Sequence, residues 1–267
     1  MAISAKEVKE LRDKTGAGMM DCKKALVAAD GDLEKALENL RKAGIAKAEK
    51  KASRAVKEGK VFAKISDDKK TAVLVEVMCE TDFVATNDIF GNFVDGIADA
   101  ALAQNAEGCV IDAVLEAKDA ELKDMIAKIG ENMKILRAYK WTTEGQFVSY
   151  IHAGGKVGVL VDVEGEADAE FLNMLGMHIA AFNPPYVRPE DVPAEMIEKE
   201  KEIATAQLAG KPAEMIEKIL VGKINKWYTE VCLVKQAWIK DDKMAVEKVA
   251  PKANIKRFLR WELGSEL

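Results

Sequence analysis

Residues with reactive side chains are few and widely spaced in this sequence. It has two histidines, His152 and His178, and four cysteines that form no C-x-x-C pair. Zinc sites need such residues in close groups, and covalent catalysis needs a nucleophile beside a base. The sequence offers neither arrangement, so it predicts no metal, no cofactor and no enzyme activity. The isolated cysteines are expected to be small buried residues of a reducing compartment: Cys22, Cys79, Cys109 and Cys232.

The stretch best suited to act on another molecule is VLVEVMCETDFVATN, residues 73–87. Its β-branched start is typical of a buried strand. Glu80, Thr81 and Asp82 then favour the end of a strand or a helix cap, and Phe83 follows directly. This ring is either the first large residue of a packed helix or a side chain presented to a partner. Propensity alone favours the packed helix.

The composition is that of a globular chain rather than a nucleic-acid or membrane protein. The 267 residues are 49% hydrophobic and 32% charged, with a formal net charge of −5. This length suits two or three domains. Affinity for nucleic acid or anionic membrane requires clustered cations, which an acidic chain disfavours. No apolar run reaches the roughly 18–20 residues of a membrane span, and MAISAKEVKE lacks a signal core. We therefore expect a cytoplasmic protein.

Residues 1–44 have the signals of three short helices. Ser4 and Glu7 form a capping box. A Gly at 16 ends the first helix and another at 18 starts the second. Asp32 caps the third helix, which Gly44 is predicted to close. A unit this short buries little, so we expect one apolar patch to stay available to a partner.

Met19 and Met20 are the interaction candidates of this unit, because flexible thioethers suit adaptable contacts. The alternative, weighed equally, is that one methionine packs inward and the other has no role. The preceding TGAG lacks the Lys-Ser/Thr of a phosphate-binding loop and follows no strand.

Residues 45–57 are rich in lysine and alanine and predict a basic helical linker. A solvated face is commoner for such a segment than an RNA-binding one.

An internal duplication organises the centre of the chain. EGKVFAKISDDKKTAVLVEVMCETD, from Glu58, and EGQFVSYIHAGGKVGVLVDVEGEAD, from Glu144, align at a constant offset of 86. Each copy predicts strand, tight turn, strand and helix, and a third strand is expected at 133–141. The copies differ after a shared Asp, where Phe83 corresponds to Ala169. That difference weakly favours a special role for the first copy.

The last quarter of the chain predicts a helical hairpin and a return to the core. Two PAEMIEK segments, at 193–199 and 212–218, each begin with a proline suited to a first helical turn. The turn between them is expected at 210–212. Apolar residues of the two helices are expected to oppose each other, among them Met196, Ile203 and Met215. Segments 231–234 and 236–239 are expected to return to the second sheet, followed by a helix at 244–249 and a closing strand at 255–263.

With these segments in view, the whole length of the chain resembles the bacterial elongation factor Ts family, whose members exchange the guanine nucleotide of elongation factor Tu. LRDKTGAGMMDCKKAL (11–26) and VMCETDFVATN (77–87) match its two signatures. KIGENMKI (128–135), HAGGKVGVLV (152–161) and MHIAAFNP (177–184) also match. Two long signatures in the right order make the resemblance specific.

The resemblance implies an α+β organisation in five parts. These are a ubiquitin-associated-like three-helix domain (1–44), a basic helical linker (45–57), core subdomain N (58–142), core subdomain C (143–189 and 228–267) and a coiled-coil hairpin (190–227). The two core subdomains are small antiparallel sheets backed by helices. Longer members carry a further C-terminal helical module, whose contacts are not expected of this chain.

The resemblance also implies the partner and the residues that act on it. In the family, a Thr-Asp-Phe-Val tip enters the GTPase near the nucleotide and leads to loss of magnesium. The matching positions here are Thr81, Asp82, Phe83 and Val84. His152 matches a position near the GTPase, and the N-terminal unit with Met19 and Met20 docks on the GTPase domain. No stable nucleic-acid binding and no membrane contact are expected. The sequence leaves open whether the complex is one-to-one or a dimer of heterodimers.

Overall fold

The computed structural model describes residues 3–208 and 212–265. The chain begins with a three-helix unit made of α1 (Ala5–Thr15), α2 (Met19–Ala28) and α3 (Leu33–Lys51). The predicted helix signals are confirmed: the Ser4–Glu7 capping box, the left-handed Gly16 that ends α1, and the Asp32 side chain that accepts from the first turn of α3. The small core of this unit includes Leu11, Cys22 and Leu26. Its likeness to a ubiquitin-associated domain remains a prediction.

The prediction that Gly44 closes the third helix is wrong. Helix α3 continues through Gly44 to Lys51 and lies along α6 (Ile111–Ile129) of the core. A Cβ on Gly44 would lie only 3.3 Å from the Cβ of Ala127. The glycine is therefore a point of close helix–helix approach rather than a stop, and Ala48 beyond it is buried in the core.

The first core subdomain is a four-stranded sheet in the order β1-β2-β4-β3 with helices on one face. Its further elements are β1 (Glu58–Ile65), β2 (Thr71–Cys79), α4 (Asp82–Ala85), α5 (Asp88–Leu102), β3 (Gly108–Cys109) and β4 (Met133–Thr142). The central pairs β1–β2 and β2–β4 are antiparallel. The predicted hairpin turn and the predicted third strand are both confirmed. The prediction that Cys109 is buried is wrong, because it lies exposed on the edge strand β3.

The second core subdomain repeats the arrangement with a three-stranded sheet in the order β5-β6-β9. Its elements are β5 (Gln146–His152), β6 (Val157–Gly165), α7 (Ala169–Phe182) and the closing strand β9 (Ala253–Glu262). Thr71 and Val157, which open the matching strands, are 86 positions apart, as are Cys79 and Gly165, which end them. The duplication read from the sequence is thus confirmed in the strands, and the mixed α+β class with it.

A helical hairpin interrupts the second subdomain between α7 and β9. It consists of α8 (Ala194–Ala206) and α9 (Ala213–Val231), and the predicted turn residues Gly210 and Lys211 lie outside the described residues. Ala204, Leu208 and Ile224 are buried between the helices. Met196, Ile203 and Met215, which were also expected there, are exposed. Two helices alone cover only a narrow stripe of each other, which leaves these three outside it.

The segments after the hairpin do not join the second sheet as expected. Residues 231–234 contain the end of α9 and a short 3-10 turn, while β7 (Ala237–Trp238) pairs with β8 (Asp241–Ala245) in a separate two-stranded sheet. The predicted helix at 244–249 is the shorter α10 (Val246–Val249), because Met244 belongs to β8. Leu233 and Trp238 still enter the second core, so the segment packs against that core without pairing with its sheet.

The two sheets pack face to face, with their helices on the outer sides. Val73, Val75 and Val77 of β2 face the helices of their own subdomain. Leu74 points the other way, and its side chain approaches Gly158 of β6. Strand β2 is therefore covered on both faces, which explains why residues 72–79 are all buried. The molecule has a helix–sheet–sheet–helix order.

Reciprocal links join the two halves across this interface. Ile135, Arg137 and Trp141 of β4 recur 120 positions later in β9 as Ile255, Arg257 and Trp261, a second repeat that the sequence analysis missed. The Arg137 guanidinium lies 4.5 Å from the ring centroid of Trp261, and that of Arg257 lies 4.4 Å from the ring centroid of Trp141. Each arginine pairs with an acid of its own half, Arg137 with Glu76 and Arg257 with Asp162. The interface therefore has an internal pseudo-two-fold symmetry.

Candidate functional site

Phe83 lies on a single projecting turn at the end of β2. Helix α4 has only four residues, and the Thr81 hydroxyl caps it by accepting from the Val84 amide at 3.4 Å. Ala85 is buried in the first core, whereas the Phe83 side chain is 84% exposed. Phe83 thus lies in a helical turn after the strand, which residue propensity favoured. Its ring is not packed, although the same propensity favoured a packed helix. We call residues 81–84 the tip.

The duplicate of the tip has a different form. In the second copy, Asp168 caps α7 by accepting from the Phe171 amide at 2.7 Å, and the helix then runs unbroken to Phe182. In the first copy the chain leaves the helical path after Ala85, and Asn87 starts α5 afresh by accepting from the Ile89 amide at 2.8 Å. The break after one turn separates Phe83 from the packed helix. The tip is therefore a local departure from a shared scaffold.

A reciprocal set of hydrogen bonds holds the base of the tip. The Glu131 carboxylate accepts from the Glu80 amide at 3.1 Å, the Thr81 amide at 3.0 Å and the Thr81 hydroxyl at 2.6 Å. In return, the Glu80 carboxylate accepts from the Asn132 amide at 2.5 Å. We call Glu80, Thr81, Glu131 and Asn132 the clamp. Asn132 extends it by donating to the Arg54 carbonyl at 2.8 Å.

Sequence reasoning missed Glu131 and Asn132 as contributors to this site. They belong to KIGENMKI, which supported the family resemblance without any assigned role. A Glu directly after the left-handed Gly130 that ends α6 has no local signature of its function. Its partners are about 50 positions earlier in the chain, so only the pairing of β2 with β4 brings the two loops together. The only sequence feature that could have pointed to these residues is that Glu131 and Asn132 are a polar pair between a helix and a buried strand.

Burial shifts the pKa of two side chains that lie next to the clamp. Burial raises the pKa of the Cys79 thiol to about 12, and the nearby Glu131 carboxylate acts in the same direction. This neutral thiol lies 3.2 Å from the Thr81 carbonyl, to which it donates. Burial also lowers the pKa of Lys51, with Arg54 adding to the effect and Glu80 opposing it. The Cys79 thiol is therefore not an activated nucleophile, and the hydrogen bonds of the clamp position the backbone of the tip.

His152 lies on an exposed turn at the same end of the core as the tip. It ends β5, and its Nδ1 atom is 3.2 Å from the Tyr150 hydroxyl. The turn after it leads to Lys156, which forms an ion pair with Glu58, and Glu58 is the β1 partner of Cys79. The structure therefore brings the His152 turn and the base of the tip to one edge of the molecule.

Met19 and Met20 lie on the separate N-terminal unit. They open α2, and their side chains are 55% and 64% exposed. The alternative in which one of them packs inward is wrong, because both are exposed and Cys22 and Leu26 occupy the buried face of α2. A pair of exposed methionines is suited to an adaptable apolar contact. The unit that carries them is fixed to the core through α3 and α6.

The described residues contain neither a metal-binding cluster nor a membrane-spanning helix. No group of three or more His, Cys, Asp or Glu side chains in 3–208 and 212–265 is arranged to hold a metal ion. Within the same residues, no helix is both long and apolar enough to cross a bilayer.

Comparison with known proteins gives one consistent answer. The family model described as elongation factor TS matches residues 80–265, which begin at the clamp. Elongation factor Ts of Clostridium botulinum (strain Alaska E43 / Type E3) is 47% identical over 98% of this chain and 93% of its own length. The Halothermothrix orenii protein of the same name is 45% identical over 99% and 93%. That of Aquifex aeolicus is 42% identical over 99% of each chain.

The chain belongs to the elongation factor Ts family. This membership gives it a role in the elongation stage of translation and places it in a class of nucleotide exchange factors that bind elongation factor Tu. The relatives extend over the N-terminal unit as well as the core. The tip, the clamp and the two methionines therefore all lie within the shared length.

Proposed function

We propose that this protein binds elongation factor Tu in its GDP form, in the cytoplasm, and promotes GDP release by disturbing the magnesium and phosphate site. Thr81, Asp82, Phe83 and Val84 form the part that enters the GTPase. The observation that supports this best is Phe83, a large apolar ring on a projecting turn and 84% exposed. Such exposure is unfavourable in water unless a partner covers the ring.

The proposed mechanism involves no bond chemistry. An exchange factor binds the nucleotide-free GTPase better than the loaded one, and linkage makes that antagonism reciprocal. Phe83 separates the elements that support the magnesium site, while Asp82 adds negative charge and competes for hydrogen bonds there. Octahedral Mg²⁺ tolerates little displacement of its ligands, so a small movement is enough to release it.

The coupling free energy needed to release the nucleotide is larger than Phe83 alone can supply, so the interface must be broad. Weakening nucleotide binding about 10⁴-fold takes roughly 5.5 kcal/mol of coupling. Burial of one Phe supplies about 1.5–3 kcal/mol. We propose that Met19 and Met20 on the N-terminal unit and His152 on the core provide further contacts that hold the distorted GTPase. Their exposure on two different units supports this role.

The test is release of fluorescent GDP from elongation factor Tu, followed by stopped flow with and without this protein. Phe83→Ala is expected to lower the maximal release rate about tenfold or more, because it removes roughly 1.5–3 kcal/mol of contact made in the distorted state. Complex formation should largely survive. The control is Leu115→Ala, which truncates an exposed apolar side chain on α6. A wild-type maximal rate in Phe83→Ala would rule out the wedge.

The remaining partner proposals follow from the surface. Two of the five cations of residues 45–57 pair with acids of the protein: Lys47 with Asp21 at 2.7 Å and Arg54 with Glu80 at 3.4 Å. These pairs support a protein without stable nucleic-acid binding. The test is an RNA-binding measurement, which should show no affinity even at low salt.

For the assembly, we propose that a second copy would meet the first at the hairpin, because Met196, Ile203 and Met215 are exposed there. Sedimentation equilibrium of the complex distinguishes one-to-one from a dimer of heterodimers by mass.

A further inference from the structure

The tip cannot hold its own orientation. An isolated helical turn of four residues is unstable in water, because nucleation fixes several dihedral angles for very few hydrogen bonds. The ring of Phe83 itself has no packing partner that would orient it, being 84% exposed. The direction in which the tip projects is therefore set by its attachments on either side of the ring. After the ring these are the partly buried Val84 and the buried Ala85, which both pack on the first core, and before it the attachment is the clamp.

Glu131 is the centre of the clamp. Its two carboxylate oxygens take three donors from two consecutive residues, which fixes both the backbone and the side chain of Thr81. Bonds to an ionised acceptor are about twice as strong as neutral ones. The Thr81 hydroxyl that donates to Glu131 also accepts from the Val84 amide, so the carboxylate is linked through one oxygen atom to the first turn of α4.

The elements on either side of Glu131 hold its backbone in a fixed position relative to the tip. It lies between the left-handed Gly130 at the end of α6 and the buried start of β4 at Met133. Neighbouring Asn132 is buried, donates its backbone amide to the Glu80 carboxylate, and donates its side-chain amide to the Arg54 carbonyl just after α3. Three elements distant in sequence thus meet at the base of the tip.

We propose that Glu131 is a positioning residue for nucleotide exchange: it sets the angle at which Phe83 is presented, and acts on the rate through Phe83 rather than by contact with the partner. This inference rests on the proposed exchange function. Replacing the carboxylate by an amide keeps the size of the side chain but turns one of its two acceptor oxygens into an NH₂ donor. That NH₂ group then faces at least one of the three groups that now donate to Glu131. The tip then samples several orientations, of which few are productive.

The experiment compares the wild-type protein, Glu131→Gln, Phe83→Ala and the double variant in stopped-flow release of fluorescent GDP from elongation factor Tu. For Glu131→Gln we expect the maximal rate at saturating factor to fall about tenfold, which is the effect of losing one charge-assisted hydrogen bond. The half-saturating concentration should stay within about twofold of the wild type. In the Phe83→Ala background the same substitution should have no further effect, since the two residues then act as one unit.

Glu116→Gln provides the matched control, because it makes the same change in net charge on an exposed face of α6. It should release GDP at the wild-type rate. Should Glu131→Gln fail to fold, Thr81→Val removes the same hydrogen bond from its other end while leaving the carboxylate in place, and Thr81→Ser, which keeps the hydroxyl, is the control for other changes at this position of the tip. Thr81→Val is expected to show a several-fold loss of maximal rate with an unchanged half-saturating concentration.

The outcomes separate this inference from the function on which it rests. If the wild-type protein does not accelerate GDP release, the proposed function fails. If the wild type is active and Glu131→Gln releases GDP at the wild-type maximal rate, only the positioning role fails. It also fails if Glu131→Gln changes the half-saturating concentration alone, or if its effect adds fully to that of Phe83→Ala.

Discussion

At the scale of single residues, Arg137 and Arg257 occupy equivalent positions but differ in their access to water. The Arg137 side chain is 10% exposed and its partner Glu76 is fully buried. The Arg257 side chain is 39% exposed beside the nearly buried Asp162. Removing one member of a buried ion pair leaves the other charge without compensation, whereas water can replace an exposed partner. The two repeats should therefore respond differently to the same substitution.

We predict that Arg137→Ala lowers the free energy of unfolding by about 3–5 kcal/mol. Arg257→Ala should lower it by clearly less, because water reaches the place of the removed guanidinium. Urea denaturation followed by circular dichroism measures both. Lys252→Ala removes an ion pair whose two side chains are mostly exposed, and it should change stability by less than about 1 kcal/mol. Equal losses in the two arginine variants would contradict the burial argument.

At the scale of secondary-structure elements, Gly158 marks a close approach between the two sheets. A Cβ on this residue of β6 would lie 2.4 Å from Val61 Cγ1 and 3.2 Å from Leu74 Cδ1. Both neighbours belong to the opposite sheet, so an added methyl group must displace their side chains or push the sheets apart. The small side chain is thus what permits the face-to-face packing of β1 and β2 against β6.

We predict that Gly158→Ala lowers the free energy of unfolding by about 1–3 kcal/mol through overpacking. Gly222→Ala is the matched change in a helix, where a Cβ would meet nothing within 4 Å. It should raise stability by about 0.5–1 kcal/mol, because alanine is the better helix former. Thermal and urea unfolding of the two variants measure the opposite signs. A neutral Gly158→Ala would mean that the sheets adjust freely.

The elements also mark the limit of what the sequence could predict. Helix caps and strand repeats are local signals, so the Ser4 cap, the matching strands from Thr71 and Val157, and the tight turn between the strands of each copy were predicted correctly. Gly44 was misread because its local chemistry is that of a helix stop, and only the neighbouring α6 keeps the helix going. The clamp was missed for a related reason, since Glu131 meets Thr81 only after the sheet has formed.

At the scale of the whole molecule, stability should depend on pH through one buried ring. His178 is fully buried, stacks on Trp238, contacts the tilted ring of Phe182, and bonds through Nε2 to Gln236 at 2.9 Å. Its Nδ1 atom has no hydrogen-bond partner among the described residues. Burial lowers the pKa of His178, against an opposing effect of the Gln236 hydrogen bond. The folded protein therefore keeps the ring neutral where the unfolded chain protonates it.

We predict that the free energy of unfolding is highest above about pH 6.5, the ordinary pKa of histidine, and falls as the pH drops below it. The loss reaches at most about 1.4 kcal/mol per pH unit while only the unfolded chain binds the proton. Urea midpoints at pH 7.5 and 5.5 test this. His178→Gln should flatten the dependence, whereas His152→Gln, at the exposed second histidine, should retain it. An unchanged pH dependence in His178→Gln would assign the effect elsewhere.

The pseudo-two-fold interface has a consequence for how a partner approaches. A body built from two related halves has two related strand ends, one in each half. The first of the matching strands leads into the turn that carries Phe83, and the second leads into the unbroken helix that begins at Ala169. The halves differ further, since the N-terminal unit is attached to the first and the hairpin is inserted in the second. A partner that recognises the turn should therefore meet only one of two ends that share a common frame.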